Sequence, residues 1–288
     1  MIATYPQTPH VVVCDLPHGP EMSMRIGCAT PRHAQARKPS AVFLRRADGA
    51  GWEHVETTSG QAVIGEVVDF ADVSKPYQGE CTVDSASRLR VRLFAGRLYS
   101  TPIVDAVLGA SMLMVGSELL AFTKAEQIES SEWMLSGMVR GLRDTSTSCG
   151  GHMPSEPVML MSSASVRIPY DPSQVGQRWA IKAAAAGQSL ADVPIVWEGV
   201  LSGASGVPMR PAIIDGRPVA RSRWVGTCYD DRTELPASEI VERWEWSIAG
   251  GRPIVRQIGA MGAGRWTERD APWVCLLPRE PAPLSAPR

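Results

Sequence analysis

The residues whose types and spacing could do chemistry are few, and each set falls short of a site. Cys149 and His152 have the Cys-x-x-His spacing of half a metal site. A structural zinc needs four ligands, and His10, His18, His33 and His54 lie far away with no second cysteine beside them. Cys14 and His18, in "CDLPH", are no better placed, so no metal is expected. Asp230 and Asp231 are adjacent, and Glu239 and Glu242 are near one another. Such acids point apart on a strand or turn, and nothing separates a general acid from a nucleophile. A nucleophile elbow needs Gly-x-Ser-x-Gly; "LSGM" and "LSGASG" do not match it, so Ser136 and Ser202 read as ordinary serines. "GAMGAGRW", with Gly259, Gly262 and Gly264, lacks the lysine and following helix of a phosphate cradle. The expectation is a protein with no catalytic residues, no cofactor and no enzymatic activity.

Residues 131–145, "SEWMLSGMVRGLRDT", form the most distinctive stretch. A strand of alternating residues runs into a polar turn. Gly137 and Gly141 permit close backbone approach or positive φ. Arg140 and Arg143 can fork onto carboxylates or carbonyls. The four residues read as a structural corner. The aromatics are also unusual, with nine Trp against four Phe. Trp224, Trp244 and Trp246 sit in alternating runs, as core aromatics of a sandwich do. Trp52 and Trp266 lie beside expected turns, and they are the candidates for contact with a sugar or other receptor.

The elements that must carry these residues are mostly strands. "SRLRVRLF" places Leu89, Val91 and Leu93 on one face and Arg88, Arg90 and Arg92 on the other, a solvated outer face. Shorter runs at 11–14, 22–28, 41–45 and 61–70 continue the pattern, with a turn at Asp48 and Gly49. "TPIVDAVLGAS" predicts one short helix, with Ser100 or Thr101 as cap and Ile103, Val107 and Ala110 on its inner face. "MLMVGSELLAF" predicts two strands joined at Gly116 and Ser117, and "QRWAIKAAAAGQS" a strand entering a loop. A Gly/Ser/Pro-rich boundary falls near 202–211. Strands and a hairpin at Gly250 and Gly251 follow, then a Pro-rich tail. The fold class is mainly β, as several small β-domains with one short helix.

Formal net charge is -1, from 29 basic and 30 acidic residues. That balance gives no general pull toward nucleic acid or an anionic membrane. No apolar run approaches the roughly 20 residues of a membrane span. Six scattered cysteines without a CxxC pair do not read as a disulfide framework. The first residues carry no secretory signal pattern.

The order "RLRVRLFAGRLYS", short helix, "LLAFTKAEQIESSEWMLSGMVRGLRDT", "VMLMSSASVRIP" resembles the C-terminal part of the large tail-tip hub proteins of siphophages and gene transfer agents. In that family an R-L-x-V-x-L strand precedes a small helix. An E-x-x-x-F strand follows, and then a signature close to L-S-G-L-x-R-G-x-R-G-T. Here the signature runs from Leu135 to Thr145, with Asp144 where the family has glycine. The resemblance is best over 84–182. It implies a small irregular β-domain over 1–80, a hub-like β-domain over 81–202 and a fibronectin type III-like sandwich over 211–278, before the tail at 279–288. It also implies a virion protein of the tail tip or baseplate, made in the host cytoplasm. Such a protein would assemble with hub proteins in a trimeric setting and contribute to host attachment. The chain starts at Met1 without the family's upstream rings, so a separately encoded C-terminal piece is expected. A receptor-binding module and a tail-associated cell-wall hydrolase are the alternatives.

Overall fold

The structure, a computed structural model, describes residues 9–15, 22–29, 40–46, 51–58, 61–71, 82–162, 164–185 and 188–206, with five short strands beyond 211. Strands β1 (His10–Asp15), β2 (Ser23–Ala29), β3 (Ser40–Arg46), β4 (Glu53–Thr58), β5 (Ile64–Ala71), β6 (Thr82–Asp84) and β7 (Arg88–Ala95) come first. The helix α1 (Ile103–Val107) follows. Then come β8 (Met112–Val115), β9 (Glu118–Gln127), β10 (Glu132–Arg140), β11 (Pro157–Leu160), β12 (Val166–Pro169), β13 (Arg178–Ala185) and β14 (Ile195–Val200). The chain is mainly β, with one short α-helix among the described residues.

Six strands close into a barrel. Around the ring the order is β10, β7, β5, β11, β8 and β9, and β9 pairs back to β10. Every ladder is antiparallel. Closure removes the edges that an open sheet would leave unpaired. The alternation in β7 determines what the barrel contains. Leu89, Val91 and Leu93 are buried inside with Phe122, Trp133, Leu135, Met138 and Val158. Each such side chain contributes roughly 1.5–3 kcal/mol on burial. The outward arginines are paired within the chain. Arg90 and Arg92 both donate to Glu132, at 2.7 Å and 2.9 Å, and Arg92 also reaches Glu66 at 3.0 Å. Arg88 donates to the carbonyls of Ser85, Ala86 and Ser87.

Helix α1 differs from its expected form. It is one turn long, with Pro102 at its N-cap and no side-chain cap. The Ser100 hydroxyl instead accepts from the Ala125 amide at 3.0 Å, and the Thr101 hydroxyl turns to the Tyr99 carbonyl. Ala106 is buried, while Ile103 and Ala110 are exposed, and the Val107 side chain lies outside the described residues. A single turn is too short for the ends of a ten-residue stripe, Ile103 and Ala110, to face inward together. The β8–β9 turn forms at Gly116 and Ser117 as expected, with Gly116 at φ 54°.

The flanking strands make two more sheets, β1-β2-β12 and β14-β13-β3-β4. Between them lie Met24, Ile26, Val166, Ile168, Tyr170, Trp179, Ile181 and Leu201. Strand β2 pairs with β12, β3 with β13, and β5 with β7. The sheets therefore run straight across residue 80, where the sequence suggests a boundary. The serine-rich stretch near 202 is tied into this layer. Ser202 donates to Asp15 at 2.5 Å, the Tyr170 hydroxyl reaches the same carboxylate at 3.2 Å, and the Ser23 amide donates to Ser205 at 2.9 Å. Burial, with Asp15 alongside, pushes the Tyr170 hydroxyl up to about 12.

Beyond 211, β15 (Ala212–Ile214) pairs with β16 (Arg217–Val219), and β17 (Arg243–Trp246) lies between β18 (Ile254–Gln257) and β19 (Trp273–Val274). Trp246 pairs with Ile254 in register, and the expected turn at Gly250 and Gly251 lies outside the described residues. The rest of the expected fibronectin-like sandwich lies outside the described residues. So do the Pro-rich tail, Trp224, Trp266 and the acids at 230, 231, 239 and 242.

Candidate functional site

The corner is made where β10 changes partners. Up to Leu135 the strand pairs with β7; from Met138 it pairs with β6, and it holds β9 on its other side at both ends. Gly137 is the hinge of that change, at φ 61°. A Cβ there would lie 2.1 Å from the Thr123 hydroxyl, which donates to the Gly137 carbonyl at 3.0 Å. Only glycine combines that backbone with that contact.

Three residues on, Arg140 is fully buried. Its guanidinium forks onto Glu118, the first residue of β9: Nε donates to Oε1 and Nη2 to Oε2, each at 2.6 Å. Nη1 reaches Asp84 Oδ2 at 3.4 Å, and the cation sits 4.8 Å from the Phe70 ring centre. Asp84 also accepts the amides of Ala86 and Ser87. Gly141, at φ 66°, ends the strand and points its amide at Glu118 Oε1, 3.2 Å away. The following turn is closed by Thr145, whose hydroxyl accepts from the Leu119 amide at 3.0 Å and donates to the Leu142 carbonyl at 2.8 Å.

Cys149 and His152 converge on the same carboxylate. Cys149 Sγ donates to Glu118 Oε1 at 3.3 Å. His152 Nε2 lies 2.8 Å from Glu118 Oε2, and its Nδ1 lies 2.6 Å from Glu156 Oε2. The imidazole packs 5.2 Å from Phe70. The sum is a chain of alternating charge: Asp84, Arg140, Glu118, His152, Glu156. Burial pushes the Glu118 carboxyl up, but the hydrogen bonds and charges of Arg140 and His152 outweigh it and hold it below its ordinary value. Burial pushes His152 down, and the bonds to Glu118 and Glu156 outweigh that, so it stays protonated above its ordinary 6.5. A ring with a carboxylate at each nitrogen donates from both.

A histidine between two carboxylates, with a thiol nearby, has the parts of acid–base chemistry. Its placement does not suit that use. The His152 side chain is 4% exposed and Glu118 0%, so a substrate has no approach to either. Cys149 Sγ donates to the Glu118 carboxylate and lies 3.9 Å from the Thr145 carbonyl. Both Glu118 oxygens are committed to Arg140. Among the described residues no group of three or more His, Cys, Asp or Glu is arranged to hold a metal.

Of the four residues expected to make the corner, Gly137, Arg140 and Gly141 are placed in it by this geometry. Arg143 differs. Its Nε and Nη1 are buried with no hydrogen-bond partner, so it forks onto nothing. The backbone there is left-handed, with Arg143 and Asp144 at φ 51° and 63°. Trp52 is half-buried, with the Lys182 ammonium 4.8 Å from its ring centre. Trp266 lies outside the described residues. Sequence reasoning missed the roles of Glu118, Asp84 and Glu156. The signal available was the Cys-x-x-His spacing, which marks two residues reaching one partner, though that partner is a carboxylate and no metal.

Residues 62–159 match the family model described as Rcc01698-like, C-terminal. The matched segment runs from just before β5 to within β11, and so takes in the corner and all of the barrel but the last residue of β11. No curated protein matches the chain. The match covers less than half of the chain, and it marks the barrel as the part that is similar to that family.

Proposed function

We propose that this protein is a non-enzymatic structural component of the tail tip or baseplate of a tailed phage or phage-like particle. It works by assembling with hub proteins, in a trimeric setting, and contributes to attachment at the host surface. The observation that carries this reading is the sealed corner. Every group there able to do chemistry is spent on holding β6, β9 and β10 together, with Arg140 and Glu118 both fully buried. The strings that resemble the hub family fall on β7, β9 and β10 and on the corner itself. The surface beside α1 also suits assembly: Tyr99 is 72% exposed, Val104 66% and Leu108 59%. Apolar side chains grouped in this way are characteristic of protein contacts.

The test is light scattering on the chain alone and then mixed with the purified tail-tip hub of the same particle. A stable co-complex is expected. A monomer that ignores the hub would overturn the reading and direct attention to glycan arrays and a peptidoglycan clearing gel.

A further inference from the structure

Residues 149–156 link the corner to β11, and His152 ties them to the barrel. The ring lies between two carboxylates, with Nε2 2.8 Å from Glu118 Oε2 and Nδ1 2.6 Å from Glu156 Oε2. Glu118 opens β9, and Glu156 immediately precedes β11. A carboxylate offers only acceptors, so both contacts need an N–H on the ring, and a neutral imidazole has one. Once a proton leaves, one nitrogen turns a lone pair toward a carboxylate at hydrogen-bond distance, and that contact becomes repulsive.

Burial decides which contact fails. Glu118 is fully buried, so losing a donor there leaves a sealed charge short of a partner. The Glu156 side chain is 29% exposed and can turn to water. The remaining N–H therefore stays on Nε2, and the link from Nδ1 to Glu156 is the one lost. From the other elements, Phe70 of β5 covers the imidazole, and Arg140 of β10 lies over the same Phe70 and forks onto Glu118. Asp84 of β6 accepts from Arg140, and Cys149 donates to Glu118. The backbone of the loop does little to hold it in place. Gly150, Gly151 and Ser155 lie at φ 86°, 72° and 71°, a region unfavourable for serine. Two backbone bonds tie the loop to β5: the Ser155 amide donates to the Val67 carbonyl at 2.8 Å, and the Val67 amide to the Glu156 carbonyl at 2.9 Å. Burial disfavours the charged ring, and its bonds to Glu118 and Glu156 outweigh that, so the proton leaves above the ordinary 6.5. The link is complete below 6.5 and is lost as pH rises through the folded value.

We propose that His152 is a proton-operated latch on residues 149–156. Protonated, it clasps Glu156 and holds the loop on β5; neutral, it releases Glu156 and the loop opens while the barrel stays closed. The proton passes from Nδ1 to buffer base. The latch does not depend on the proposed assembly role.

The experiment is amide hydrogen exchange of the full chain, resolved at Ser155 and Val67, which reads such local opening. It is run from below pH 6.5 upward on wild type, Glu156→Gln and His152→Gln, and rates are compared between chains at the same pH. In wild type, exchange at both amides should rise relative to Glu156→Gln by about tenfold or more, the equilibrium value of one charge-assisted hydrogen bond. The midpoint should coincide with the ring titration of His152 followed by NMR. Glu156→Gln should show no step, because a carboxamide accepts from a protonated Nδ1 and donates to a neutral one. His152→Gln should show none, having no proton to lose there. Amides of the β7–β10 ladder should stay protected throughout. A wild type without a step, a step retained in either variant, or a midpoint apart from the ring titration overturns the proposal. So does a step shared by the β7–β10 amides, which would be unfolding of the barrel.

Discussion

Replacing Arg140 by methionine tests the corner most directly. Methionine keeps the contact with Phe70 and removes the charge. Glu118 then loses two charge-assisted bonds of 2.6 Å and keeps the Gly141 amide, Cys149 and His152. Each lost bond to a charged group is worth about 1.5–3 kcal/mol. Breaking one side of a buried pair costs about 3–5 kcal/mol overall. That is a large fraction of the 5–15 kcal/mol typical of a folded domain. Urea unfolding followed by circular dichroism at pH 7 should show a loss of that size for Arg140→Met. The deficit should shrink as pH falls, because a Glu118 without its arginine takes up a proton more readily. Glu118→Gln in the same background removes the stranded charge. The double variant should therefore be less destabilised than the sum of the singles, by about 1–3 kcal/mol. Simple additivity, or a single-variant cost below about 1 kcal/mol, would refute the idea that this pair pins the corner.

Three further outcomes are expected. Gly137→Ala should cost at least about 1–3 kcal/mol, from the positive φ and a Cβ 2.1 Å from Thr123, measured by the same unfolding. His152 has a folded pKa above its ordinary 6.5, so its contribution is complete below 6.5 and is lost as pH rises through the folded value. Glu118 is held low, so its contribution is present above its ordinary 4.5 and is lost as pH falls through the folded value. His152→Gln should flatten the alkaline limb of stability against pH, and NMR titration of the ring should place its midpoint above 6.5; a midpoint below that would contradict the network. Tyr170→Phe should cost about 1 kcal/mol by removing the bond to Asp15, again read from urea unfolding.

Much of the barrel was legible because its strands carry short-range signals. Leu89, Val91 and Leu93 alternate with arginines, and the Gly116-Ser117 turn separates two apolar runs. Gly137 and Gly141 were identifiable because positive φ leaves a residue-type signature. The partners were not legible. Glu118 lies 22 residues from Arg140 and Asp84 lies 56 from it, and nothing local in a glutamate reveals that a fork will bury it. Arg143 was no more legible, because its type suggests a fork and nothing local shows that its Nε and Nη1 stand without a hydrogen-bond partner. Ring closure was equally hidden, since it depends on β5 meeting β11 across about ninety residues of chain.

That meeting has a consequence for how the chain folds. Ile64 and Met159 are partners in the barrel's β5–β11 ladder, so the entry and exit of the barrel are side by side. Strands β2 and β12, which join Ile26 to Val166, lie outside it on either side. In the unfolded chain these two are about 140 residues apart. Once the barrel has formed, the effective loop shrinks to about 45 residues, which lowers the closure entropy by roughly 1 kcal/mol. A barrel formed first would act as a clip, although only its β8–β9 and β9–β10 connections are short. It would bring the two halves of the outer layer within reach of each other, and pulse-labelled hydrogen exchange should then show the β2–β12 amides protected after those of the barrel.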